Sequence, residues 1–183
     1  MTTIQEYCAT TGRELTATPP MAVAAQPLTW EEAGPWQRIE SPDPAAVIYV
    51  IPAASATGFS PNAFATCLRV APPMDAEEAV QMIADTASGL QDWVTTEFVA
   101  GEGDEEVGAP RSVYRFLGGT FTAEPGHMAT SSLIVAWSDA EATHLFQYIV
   151  TGYAEDVAEH RDALDCPRIG EWTANEILDA MRG

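Results

Sequence analysis

The chain has 183 residues, 27 of them acidic and eight basic, which gives a formal net charge of −19 and an isoelectric point near 4.1. Such a surface repels phosphate backbones and lipid headgroups, so nucleic acid and membrane insertion are excluded as expected partners and a basic protein is favoured. All eight basic residues are arginines, which also excludes lysine Schiff-base chemistry and a phosphate loop closed by lysine.

A hydrophobic fraction of 46% in a chain of this length predicts one globular core. Three cysteines, Cys8, Cys67 and Cys166, are odd in number and form no Cys-x-x-Cys pair, so neither a zinc site nor a dithiol is predicted. The N-terminus carries no basic and apolar leader, and no run approaches a membrane span. The expectation is a soluble cytoplasmic protein with reduced thiols.

In chain order, residues 1–35 read as an N-terminal lead-in. Its prolines (Pro19, Pro20, Pro27 and Pro35) break any long element, and a short helix is expected between Thr3 and Leu15, weakened by Gly12. Residues 36–183 read as a single α+β domain. Trp36–Ile39, Ala46–Ile51 and Ala63–Val70 are expected strands. Asp75 with Glu78 opens a helix whose Ala76, Ala79, Val80, Ile83, Ala84, Ala87 and Leu90 recur on one face. Thr95–Val99 is expected as a strand that ends in the acidic turn Gly101–Glu106. Ser112–Thr122, Met128–Trp137 and Thr143–Thr151 form an antiparallel meander, with a bulge or bend expected at Gly118-Gly119. Ala154–Leu164 is a weakly striped helix, and the capping box Thr173-Ala-Asn-Glu176 opens the last one, through Met181. Strands, helix, strands and helices in that order predict an α+β fold, not a doubly wound sheet.

Trp36, the run Ala46–Ile51, Ser60-Pro-Asn62 leading into Ala63–Val70, the Asp75 helix and the Gly119-Thr-Phe-Thr122 hairpin together carry a resemblance. The chain resembles the LpqN-type protein family of actinobacteria over roughly residues 30–165. The resemblance implies a PsbP-like α/β/α sandwich, an antiparallel sheet covered by helices, and the binding or accessory role of a superfamily of adaptors, chaperones and envelope-associated proteins. One departure concerns the lipid-bearing cysteine of the better-known members: here Cys8 follows Tyr7 without a hydrophobic stretch, so lipid anchorage is not carried over. The resemblance brings no catalytic residues.

Chemistry-bearing residues are sparse. His127, His144 and His160 sit in separate elements, and no Gly-x-Ser-x-Gly elbow is present. Glu102, Asp104, Glu105 and Glu106 cluster in sequence, but their spacing does not match a calcium loop, and a solvated loop is the simpler reading. No catalytic residue, cofactor or metal is therefore expected.

The aromatic residues nearest loops and chain ends, Trp30, Trp36, Phe59 and Trp172, are the candidates for an exposed binding patch. Arg111 and Arg115 share a strand face. They can orient a carboxylate or a partner loop, although cross-strand ion pairs are the plainer expectation. The functional expectation is a non-enzymatic binding or accessory protein that engages a protein partner, with Asp104, Glu105 and Glu106 as the contact loop. The alternative is a small-ligand or lipid carrier with a pocket between sheet and helices, motivated by the Ala-rich face of the Asp75 helix.

Overall fold

The computed structural model describes residues 2–52, 59–103, 111–124 and 126–183. Its centre is the expected meander, β8 (Ser112–Ala123), β9 (Gly126–Ser138) and β10 (Thr143–Tyr153). These strands alternate large apolar residues on both faces, so each must be covered twice. Leu133, Val135, Phe146, Tyr148 and Val150 enter one buried cluster; Ile134, Ala136 and Leu145 enter the other.

β10 pairs with β6 (Asn62–Ala71), and β6 shares its outer edge between two partners. β5 (Ala46–Val50) takes Asn62–Thr66, and β1 (Glu14–Thr18) takes Cys67–Ala71. β4 (Gln37–Ile39) follows β5 at one end, and β7 (Val94–Gly103) lies beside β8 at the other. The result is an open eight-stranded sheet in the order β4-β5-β6-β10-β9-β8-β7, with β1 on β6. Every pairing among the described residues is antiparallel.

The lead-in is more ordered than its prolines suggest. α1 (Ile4–Thr11) is closed by a reciprocal Thr3–Glu6 capping box and ends at Gly12, whose φ of 71° only a glycine adopts without strain. β1 follows it directly. β2 (Ala22–Val23) and β3 (Gln26–Trp30) then join β11 (Pro167–Ile169) and β12 (Trp172–Thr173) in a separate small sheet, ordered β12-β11-β3-β2. A local reading misses β1–β3 because each is specified by its distant partner: β1 by β6, and β3 by β11.

α2 (Ala76–Ala87) covers one face of the large sheet. The Asp75 carboxylate accepts from the Glu78 amide at 2.9 Å, satisfying one of the amides that a helix start leaves without a partner. Ala79, Val80, Ile83 and Ala84 are buried against Val113, Leu117, Ile134, Ala136 and Leu145. Thr143 fixes the approach to this helix: its hydroxyl accepts from the Met74 amide at 2.9 Å and donates to the Met74 carbonyl at 2.6 Å.

The opposite face is covered by α3 (Val157–Ala163), α4 (Ala174–Arg182) and the small sheet. α4 starts at the expected capping box, with Thr173 and Glu176 bonded reciprocally. α3 starts later than expected because a turn follows β10, with the Asp156 amide donating to the Tyr153 carbonyl at 3.1 Å. The chain is thus an α+β protein with an antiparallel sheet covered by helices on both faces.

Three local expectations are corrected. The bulge opposite Gly118-Gly119 lies in β7, where the register skips Thr96, and Gly119 is needed because a Cβ there would overlap the Trp93 ring. Gly101–Gly103 belongs to β7 and is not a turn. Glu31-Glu32, a pair of adjacent acidic residues that in sequence reads as the charge favoured at a helix start, follows β3 with β4 as the next element; Glu31 instead approaches Arg168 at 3.3 Å.

Candidate functional site

The expected patch residues separate. Trp36 is fully buried in the larger core cluster, and its place in a surface patch is corrected: its large apolar ring is worth more inside the core than in water. Phe59 is half-buried, edge-on to Tyr153 with ring centroids 5.5 Å apart. Asp104, Glu105 and Glu106 lie outside the described residues. Arg111 and Arg115 do not act together. Arg115 is buried and ion-paired to Glu77 of α2, and its burial lowers the pKa of its guanidinium. That bond runs to a helix and is not the cross-strand pair expected. Arg111 is exposed and bonds Glu102 at 2.6 Å.

Trp172 and Trp30 each line a groove, and the small sheet lies between the two. The larger groove, about 860 Å³, is bounded by the end of β7, the start of β8, the β11–β12 turn and α4. Gly170 adopts a φ of +62° in that turn and donates its N–H to the Pro27 carbonyl at 2.9 Å, while the Glu171 carbonyl accepts from Arg168 at 2.8 Å. The turn therefore presents Trp172, which is 57% exposed, at the rim.

Opposite it, glycines keep the strand wall low. A Cβ on Gly101 would come within 2.9 Å of Met181, and one on Gly103 would overlap the Ser112 hydroxyl. Tyr114 and Ile177 line the same space. Arg182 ties α4 to β7 by donating from Nε to Glu97 at 2.7 Å and from its terminal nitrogen to Asp179 at 2.8 Å. This bonding raises the Arg182 pKa above its usual value, so the strut stays charged at any ordinary pH.

The second groove, about 660 Å³, lies by β4 and is lined by Pro19, Pro20, Met21, Trp30, Ile39 and Val47, among others. Trp30 also stacks at a tilt on Tyr49 and Tyr148, at 6.2 and 6.1 Å. It is therefore half committed to the core.

The Trp172 groove combines aromatic faces (Trp172 and Tyr114) with Glu171, while Glu102, one position along β7 from Gly101 and Gly103 and so on the opposite face of the strand, bonds its carboxylate to Arg111 beside the groove. Aromatic faces attract cations through the ring quadrupole, and nearby carboxylates add to the attraction. The groove can hold a guanidinium or ammonium with an apolar stem. Sequence reasoning found Trp172 and missed Tyr114 and the two glycines. A signal was present: glycines two apart in a strand strip the same face of side chains.

The fold is an α+β sandwich, an antiparallel sheet covered by helices on both faces. The chain belongs to the Lpp-LpqN family, described as probable lipoprotein LpqN, whose sequence profile matches residues 1–167. The crystal structure of LpqN involved in cell envelope biogenesis of Mycobacterium tuberculosis superposes with a TM-score of 0.71 at 16% identity, covering 93% of this chain and 95% of that one. A mutant of the protein Mog1 aligns over 92% of this chain and 93% of its own, at 10% identity and a TM-score of 0.41. No curated protein matches the chain significantly. No helix among the described residues is long and apolar enough to cross a membrane.

Proposed function

We propose that the protein is a non-enzymatic binding or accessory protein that holds a basic protein partner in the Trp172 groove. The observation that carries this reading is Trp172 itself, more than half exposed at the rim of a groove lined also by the acidic residue Glu171. An aromatic ring left in water beside acidic groups costs solubility and gains nothing for the core, but it suits an interface anchor. The family relative's description, involvement in cell envelope biogenesis, suggests the process in which such a partner acts. The proposal includes a cytoplasmic location, supported by three buried free thiols. Recovery of the protein in the envelope fraction of its host overturns that part.

The test is quantitative capture of crosslinked partners from host lysate by the wild-type protein and by Trp172→Ala, followed by affinity measurement on the recovered partner. The expected loss is about thirtyfold in Kd, the scale of an interface hot spot. Equal affinity of the two proteins sinks the reading.

The second reading, a small-ligand or lipid carrier, finds no support in the α2 face that suggested it, since Ala79 and Ala84 are buried there. It rests instead on the 860 Å³ of the Trp172 groove, a volume within the range of small-molecule sites. Thermal-shift screening against lipids and metabolites separates the two, because a carrier is stabilised by its ligand without any partner protein.

A further inference from the structure

We infer that the partner binds by strand addition: an extended segment with alternating basic and apolar residues pairs with the free edge of β7 and sends its basic side chains into the Trp172 groove. This inference rests on the partner-binding reading and specifies how the partner is recognised.

Among the described residues β7 has one strand neighbour, β8, and its other edge is unpaired over Val94–Gly103. Of the strands with a free edge in this sheet, β4 has three residues and β1 has five, whereas β7 has ten. Long flat edges are ordinarily blunted by lysine, proline or a bulge. β7 contains neither lysine nor proline. Its one bulge, at Thr96, leaves the seven residues Glu97–Gly103 in unbroken register with Gly118–Ser112.

The two sides of that edge differ. Toward α2, Phe98 is 51% exposed and Ala100 is also exposed, so they form a short apolar strip without cover. Toward α4, Gly101 and Gly103 open onto the groove with Tyr114, Glu171 and Trp172. Side chains of an added strand alternate between the same two sides, and the strand itself lies ~4.8 Å from β7. Apolar residues then cover Phe98 while their basic neighbours reach Glu171 and the aromatic faces.

Charge selects the occupant. A second copy of the chain carries the same −19 and sets Glu97 and Glu102 against their own images, which like-charge repulsion disfavours. A basic segment meets the opposite field.

The probe is an eight-residue Lys-Val repeat, acetylated and amidated, added to the full chain and followed by hydrogen exchange and calorimetry. Amides in 97–103 are expected to exchange about tenfold more slowly in its presence. The same peptide N-methylated at alternate residues is expected to bind about tenfold more weakly, because it cannot donate to β7. Phe98→Lys, checked for folding by circular dichroism, is expected to weaken the unmodified peptide by a similar factor. Equal binding of the methylated peptide, or protection confined to residues 169–181, overturns strand addition and leaves the groove reading in place. Absence of any binding by the cationic peptide overturns both.

Discussion

On one side of the large sheet, α2 lays small and branched residues (Ala79, Val80, Ile83 and Ala84) onto Leu145, Ile134 and Ala136, all of them buried. Its acidic first turn also neutralises Arg115, the one arginine among the buried residues. On the other side, α3, α4 and a four-stranded sheet share the cover and leave about 860 Å³ between α4 and the end of β7. The first side spends its side chains on closure. The second keeps Trp172 and Tyr114 at a surface, which is where recognition has room to act. On the first side α2, with α1 contributing Ile4 and Cys8 to the same cluster, meets the sheet through alanines and can approach it closely, whereas several short elements meet the other face with gaps at their junctions.

The sharpest way to break this comparison is to cut into the closed side. Leu145→Ala, in the buried cluster that α2 covers, is expected to cost about 2–5 kcal/mol in denaturant unfolding, the range for a buried leucine that leaves a cavity. A cost under about 1 kcal/mol would mean that this side is no better packed than the other. Next in size is Glu77→Gln. It keeps an amide oxygen that can accept from Arg115 but removes the charge that neutralises the buried guanidinium, whose other acceptor is the Tyr114 carbonyl at 2.7 Å. The expected cost is about 1–2 kcal/mol, below that of a fully buried pair because Glu77 is half exposed. A double-mutant cycle with Arg115→Met checks it, and additivity of the two changes would show that the pair contributes nothing.

The closed side was the legible one. Asp75, the helical spacing of Ala79, Val80, Ile83 and Ala84, and the period-two runs of β8–β10 are local signals, and each names its element without help from a distant residue. The open side was not. β3 exists through pairing with β11, and Trp36 lies in a proline-flanked segment that gave no sign of the core around it. Within the site, Trp172 stood out as an aromatic near the chain end. Its groove required Gly101 and Gly103 to belong to a strand, and the acidic, glycine-rich composition of that segment pointed to a turn.

His160 offers a smaller test on the open side. Its ring is buried against Gly152 of β10, its Nε2 has no hydrogen-bond partner among the described residues, and burial lowers its pKa below the usual 6.5, partly opposed by Asp156. Between that lowered value and 6.5 the unfolded chain binds more protons than the folded one, so stability rises with pH across this window and levels off above it. Unfolding midpoints should therefore fall as pH drops from about 7 to 5, and His160→Gln should flatten that slope. An unchanged slope in the variant would assign the acid sensitivity to other groups.

The smallest expected change in stability is at the groove rim. Glu102 is ion-paired to Arg111 with both side chains more than half exposed, so Glu102→Gln should alter unfolding by no more than about 0.5 kcal/mol. Its effect on association is a different matter, because a rim charge acts at long range before contact. Binding of a cationic peptide to the wild-type protein should slow as salt rises toward physiological strength, where the screening length is about 8 Å. In Glu102→Gln the association rate should be lower at low salt and its dependence on salt shallower, with the dissociation rate little changed. Stopped-flow association measured across a salt series reads both quantities. If the rate and its salt slope are the same in the two proteins, the rim carboxylate takes no part in steering, and the −19 charge serves solubility on this side of the molecule as it does on the other.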